Sequence, residues 1–158
     1  MTTNTETAFR TSITVKAPIE RAFTVFTAGF DTWWPRVHHI GPVDLVSVTM
    51  EAGVGGRWFE RRVDGSECDW GRVLAWEPPH RVTLSWQINS EWEVDPDLEK
   101  PATVDVRFIA EGETVTRVEF EHRGLDGLGD TWENVLRDVS SKNGWSGILQ
   151  DFAGAFTT

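Results

Sequence analysis

The segment from Gly55 to Trp86 constrains the fold more than any other part of this 158-residue chain. Within it Gly55-Gly56-Arg57-Trp58, Asp64-Gly65, Trp70-Gly71-Arg72-Val73, Trp76-Glu77-Pro78-Pro79-His80-Arg81-Val82 and Leu84-Ser85-Trp86 follow in order. Asp-Gly and Pro-Pro pairs between runs of aromatic and β-branched residues are turn signals. The segment therefore predicts three consecutive antiparallel strands, over residues 57–63, 69–77 and 81–88, with Val82, Leu84, Trp86 and Ile88 on one face of the last.

More strands flank this unit. Phe9, Thr11, Ile13 and Val15 alternate with polar neighbours, the period of a half-buried strand over 8–16. Ile19 to Ala28 has apolar residues at helical spacing, with Pro18 at its start and Gly29 at its end. Asp31 is expected to cap a brief second helix through Trp33-Trp34 that Pro35 terminates. Val43 to Met50 reads as a strand, and Gly53, Gly55 and Gly56 as the turn that follows it. Asn89 to Pro101 is acidic and reads as an exposed loop tipped by Trp92. Val104, Val106, Phe108 and Ala110, then Val118, Phe120 and His122, supply two more strands. From Asp130 the period turns helical: Trp132, Val135, Leu136 and Val139, a Ser140–Gly144 cluster that loosens or kinks the helix, then Trp145, Ile148, Leu149, Phe152 and Phe156. Residues 1–7 are expected to be a disordered start and 8–158 a single domain.

Composition narrows the function classes. A formal charge of −10 opposes binding to nucleic acid or anionic membrane surfaces, and no apolar run reaches the length of a membrane helix. With one cysteine, Cys68, no intrachain disulfide can form, which suits the cytoplasm. Nine Trp and nine Phe without any Tyr supply large apolar faces and no phenol, so buried proton chemistry would fall to His, a carboxylate or Ser/Thr. Gly53 to Gly56 leads into a strand and not a helix, so no nucleotide loop is expected, and no cofactor is implied.

Seven strands with one apolar face each cannot stay open in water, and the C-terminal helix is the long amphipathic element able to cover them. A sheet curled around one helix leaves a pocket beside it, the usual form of a small-molecule site. The ordered motifs above, with Gly144-Trp145 and Ile148-Leu149 near the end, resemble the activator of heat shock protein 90 ATPase homologue-like family of the START-like, helix-grip (SRPBCC) superfamily. The resemblance runs from Ile13-Thr14-Val15 with Ala17-Pro18 to the last helix. It implies an α+β helix-grip fold of the birch-pollen-allergen type. A curved antiparallel sheet of six or seven strands would wrap a long C-terminal helix, with two short helices between strands one and two. Stand-alone members resemble lipid, polyketide and aromatic-ligand binding proteins, and a few relatives are cyclases or hydrolases. The family name also implies a chaperone partner, heat shock protein 90.

The main expectation is binding of a small hydrophobic or aromatic molecule between sheet and helix. Phe26, Trp33, Trp34, His38, Phe59, Trp70, Trp86, Phe120, Trp145, Leu149 and Phe152 are the expected ligand contacts. A cyclase or hydrolase would use His122 or an inward Glu60 as acid or base, but no catalytic set is fixed, so the reading leans away from an enzyme. The simpler reading of His122 is a strand-end histidine satisfied by backbone. His38-His39 lack metal-ligand spacing, since adjacent residues on an extended chain point apart, and no metal is expected. His80 should be exposed. Cys68 beside Glu67 and Asp69 is a poor thiolate.

Two parities stay open. Strand three turns either Trp58, Glu60 and Arg62 inward, giving a buried ion pair, or Phe59, Arg61 and Val63. Strand four turns in either Trp70, Arg72, Leu74 and Trp76 or Gly71, Val73 and Ala75. A homodimer through an exposed Trp92 or Trp33 is a further expectation.

Overall fold

A computed structural model describes residues 8–36, 38, 40, 42–95, 97–98, 101–142 and 144–156; the expectations for residues 1–7 and for His39 lie outside these described residues. In chain order the elements are β1 (Phe9–Val15), α1 (Ile19–Thr27), α2 (Phe30–Trp33), β2 (Leu45–Met50), β3 (Arg57–Arg62), β4 (Glu67–Glu77), β5 (Arg81–Trp86), β6 (Ala102–Gly112) and β7 (Val115–Arg123). A 3-10 turn (Leu125–Gly127), α3 (Trp132–Val139) and α4 (Trp145–Gly154) complete the chain. The seven strands form one antiparallel sheet in the order β1-β7-β6-β5-β4-β3-β2. Six consecutive strands are thus a meander, and α1 with α2 carry the chain from β1 at one edge to β2 at the other. This is the expected α+β helix-grip architecture.

One face of the sheet and the helices share a continuous apolar core in which Trp58, Phe30, Phe120 and Phe152 are fully buried. Rings join its layers: Phe26 of α1 meets Phe108 of β6 at 5.7 Å and Phe152 of α4 at 5.2 Å between centroids. The outer face carries an arginine–carboxylate ladder centred on Asp105. Its carboxylate, only 3 % exposed, accepts hydrogen bonds from Arg81 Nε at 2.8 Å and Thr83 Oγ1 at 2.9 Å. Burial pushes the Asp105 pKa up, but the hydrogen bonds from Arg81 and Thr83 outweigh it and hold the group below its ordinary value.

Four sequence-based expectations are corrected. Asp31 does not cap α2: Gly29 is the N-cap and the Asp31 carboxylate instead accepts from Val48 N and Arg36, tying α2 to β2. The closing apolar stripe is carried by two helices of eight and ten residues and not by one long helix. Gly144 permits the tight break, because a Cβ there would lie 2.3 Å from the Val139 carbonyl oxygen and 2.5 Å from that of Asp138. Neither parity of β4 holds throughout. β4 carries an extra residue at two places, Trp70 in its pairing with β3 and Leu74 in its pairing with β5, so Cys68 and Trp70, then Val73, then Trp76 turn inward. Phe59 faces outward, with the Arg57 guanidinium 3.9 Å above its ring.

Gly71 sits where β4 presses on β5, and a Cβ on it would fall 1.8 Å from the Ser85 carbonyl oxygen. Gly112, at the end of β6, has nothing within 4 Å of such a Cβ. Gly71→Ala is expected to lose about 3 kcal/mol in urea unfolding, at the upper end of overpacking effects, and Gly112→Ala less than about 0.5 kcal/mol. Equal midpoints for the two variants would contradict this packing.

Candidate functional site

A cavity of about 400 Å³ lies where α3 and α4 part above the sheet. Trp70 of β4, Trp86 of β5 and Ile88 just after it form the floor; Trp34, His38 and Ile40 form one wall. Trp92 stands at the side, and Asp138, Val139, Ser141, Gly144, Trp145 and Ile148 close the far wall from α3, the helix break and α4. Five indoles therefore surround one space, and they also pack on each other. Trp34 lies 5.2 Å from Trp70 and 5.9 Å from Trp145, and Trp86 lies 6.1 Å from Trp145.

The aromatic cage is positioned by hydrogen bonds beneath it. In β3, Trp58, Glu60 and Arg62 turn inward, the ion-pair alternative of the two parities. The Glu60 carboxylate has no exposed surface; Oε1 accepts from Trp70 Nε1 and from the Ile40 backbone N–H, both at 2.8 Å, and Oε2 from Arg62 Nε at 3.1 Å. Arg62 also donates to the Ile40 carbonyl at 2.9 Å. Glu60 thus fixes one floor indole and pins the Ile40 wall, and its lone pairs are committed to structure instead of proton transfer. Trp34 Nε1 donates to the His38 carbonyl at 2.8 Å, fixing the next indole and the turn after it.

His122 of β7 is fully buried behind Trp86, 4.6 Å from it between ring centroids, and does not line the cavity. It is not satisfied by backbone as expected: Nδ1 accepts a hydrogen bond from Trp145 Nε1 at 3.0 Å. Loss of water on burial lowers its pKa from 6.5 to about 3, so the imidazole is neutral at ordinary pH, as an Nδ1 acceptor must be. Cys68 is pushed up to about 11, first by burial and then by the Glu60 charge; its sequence neighbour Asp69 contributes less. His80 is exposed. Among the described residues no three His, Cys, Asp or Glu gather as a metal would need, and no helix is long and apolar enough to cross a membrane.

Of the expected ligand contacts, the structure brings Trp34, His38, Trp70, Trp86 and Trp145 to the cavity. Phe26, Trp33, Phe120, Leu149 and Phe152 are buried in the core around it, and Phe59 lies on the opposite face of the sheet. Trp33, 6 % exposed and donating to the Val25 carbonyl, offers no dimer contact. Trp92 is half-buried against Trp86 instead of tipping an exposed loop. Its backbone φ of 62° turns the loop back, and an Ile88–Val94 bridge ties that loop down. Ile40, Ile88, Val139 and Ile148 were missed as lining. Asp138, Ser141 and Gly144 belong to the Ser140–Gly144 break and its approach, which was visible as a kink but not as a wall.

The family described as Activator of Hsp90 ATPase homolog 1-like protein matches residues 16–157. Among solved structures, the chain is 35% identical to the anthrahydroquino-γ-pyrone synthase Txn09, over 93% of this chain and 95% of that one, with a TM-score of 0.67. It is 30% identical to the self-sacrificing resistance protein CalC from Micromonospora echinospora, over 97% and 96%, with a TM-score of 0.65. An HSP90 activator from Plasmodium falciparum shares the fold at 18% identity, over 94% and 95%, with a TM-score of 0.62. No curated protein matches the chain.

Two outcomes follow from this geometry. Glu60→Leu strands the Trp70 indole N–H and the Ile40 N–H and removes the carboxylate partner of Arg62, and is expected to cost about 3 kcal/mol in chemical denaturation. For His122, the folded value lies below the unfolded one, so below about pH 6.5 the unfolded chain takes up a proton the native chain refuses. Stability contributed by keeping it neutral is therefore lost as pH falls from about 6.5 towards 3, by up to about 1.4 kcal/mol per pH unit. Melts of His122→Leu from pH 7 to about 5 should lack the slope that the unaltered protein shows there; parallel slopes would refute the assignment.

Proposed function

The chain belongs to the Activator of Hsp90 ATPase homolog 1-like family, and from that premise we propose that it binds one small, neutral, hydrophobic or aromatic molecule in the indole-lined cavity. The observation that carries this reading is the convergence of Trp34, Trp70, Trp86, Trp92 and Trp145 on a space of about 400 Å³. That volume lies in the range of small-molecule sites and suits a few fused rings. Flat aromatic faces at offset and edge-on angles provide stacking surfaces for a planar guest. Charge argues against an ionic one. Asp138 is the sole carboxylate among the described lining residues, no arginine or lysine lies among them, and Arg62 beneath the wall is engaged by Glu60.

A second reading is favoured by the 35% identity to a synthase whose name places it on an anthrahydroquino-γ-pyrone. In that case this chain would act on its guest chiefly by confining and orienting it. Glu60 is consumed by structural hydrogen bonds and the raised Cys68 thiol is a poor nucleophile, so covalent catalysis has no support from either. A heat shock protein 90 partner or a homodimer rests on the family name and on fold-level likeness alone.

Ser141 is exposed at the rim of the cavity, so a bulky side chain there obstructs entry without disturbing the core. An apolar fluorescent dye is expected to bind the unaltered protein at one site. Ser141→Trp should weaken that binding at least about tenfold while the melting temperature stays within about 2 °C. Unchanged dye affinity in a folded Ser141→Trp variant would place the ligand elsewhere, and no dye binding at all would reject the cavity as a ligand site.

A further inference from the structure

Three buried side-chain polar atoms find no hydrogen-bond partner among the described residues: Trp58 Nε1, Trp86 Nε1 and His122 Nε2. Their chemistry is the same. An indole N–H can only donate, and because His122 Nδ1 accepts from Trp145, the proton of the neutral imidazole sits on Nε2, which is then a donor too. They are also neighbours. Trp86 lies 5.8 Å from Trp58 and 4.6 Å from His122 between ring centroids, so the shortage of acceptors centres on one ring. The buried Glu60 carboxylate is already taken by Trp70, Ile40 and Arg62. Buried donors are nearly always satisfied in native proteins, and each unpaired one calls for an explanation, a group from outside the chain among them.

We propose that the guest of this cavity is a planar aromatic molecule bearing a carbonyl oxygen, and that Trp86 Nε1–H and His122 Nε2–H receive that oxygen. The inference rests on the ligand-binding reading above and names its substrate class. A carboxylate or phosphate is disfavoured because both donors are neutral and no free cation lines the described cavity. A hydroxyl would bring its own proton into a neighbourhood already short of acceptors, whereas a carbonyl oxygen brings two lone pairs and no donor. Trp86 links the two places, being part of the cavity floor and the ring packed on His122. Both N–H groups are shielded by neighbouring rings, so delivery of the oxygen requires the Trp86 indole to turn into the adjoining space. Trp145 then acts as a positioning residue: its hydrogen bond to Nδ1 holds the His122 proton on Nε2. The low pKa of His122 keeps it in this neutral form across the working pH range.

The test compares 9-fluorenone with fluorene, tricyclic molecules of nearly equal shape that differ by the carbonyl, by displacement of the apolar dye and by the infrared stretch of bound fluorenone. Fluorenone is expected to bind at least about tenfold more tightly, with its carbonyl band below the value in an apolar solvent. In Trp86→Phe, which keeps an aromatic floor and removes the N–H, the affinity ratio should fall towards one and the band should move back. His122→Leu should do the same in part, so the idea stays testable if one variant fails to fold. Equal binding of the two probes with an unshifted carbonyl band overturns the donor assignment and leaves the cavity reading standing. Binding of neither probe overturns the donor assignment as well, and absence of dye binding beside it overturns both readings.

Discussion

One hydrogen bond in the interior, from Trp145 Nε1 to His122 Nδ1, ties the closing helix α4 to the sheet and sets what surrounds it. It works only while His122 is neutral, so burial of the imidazole and closure of the fold are a single constraint. The Trp145 ring also lies 4.6 Å from Phe120 and within ring contact of Trp34 and Trp86. It can reach all of them because α4 starts afresh at Trp145, after a tight passage through Gly144 that admits no Cβ. The cavity is lined on this side by the end of α3, the break and the start of α4.

Glu60 supplies the complementary constraint. A carboxylate without exposed surface is expensive unless every lone pair has use, and here a floor indole, a wall amide and an arginine share it. The charge therefore stabilises the cage without entering it. What remains at the surface of the cavity is mainly indole and aliphatic carbon, with His38, Asp138 and Ser141 as the polar exceptions. Such a wall is largely apolar, and the family assignment fits a scaffold whose site is set by inward side chains of a common sheet.

Much of the fold was legible because its signals are local. Asp64-Gly65 and the glycines at 53 and 55 mark turns that require positive φ, and alternation in Val104 to Phe108 or Val118 to His122 shows which residues face the core. The two bulges in β4 were invisible, because one extra residue reverses the inward set without altering composition or period. Phe59 misled for a related reason: it is buried, but under Arg57 on the outer face. Of the site, the large aromatics Trp34, Trp70, Trp86 and Trp145 could be named because inward rings on facing elements must meet. Trp92 could not, since its acidic, proline-containing surroundings read as exposed loop while a positive φ folds it back onto Trp86. Nor could sequence show that Trp145 would use the one nitrogen of His122 that leaves the other as a buried donor.

The proposed guest enters the space bounded by Trp34, Trp70, Trp86, Trp92 and Trp145. Side-chain indole N–H resonances report each of the nine tryptophans separately in a nitrogen-edited NMR spectrum. Titration with a tricyclic aromatic ketone should shift the signals of those five, while Trp132, on α3 outside the cavity lining, stays in place. Shifts confined to Trp132 and Trp76, or five unmoved cavity indoles beside saturable binding, would contradict the account.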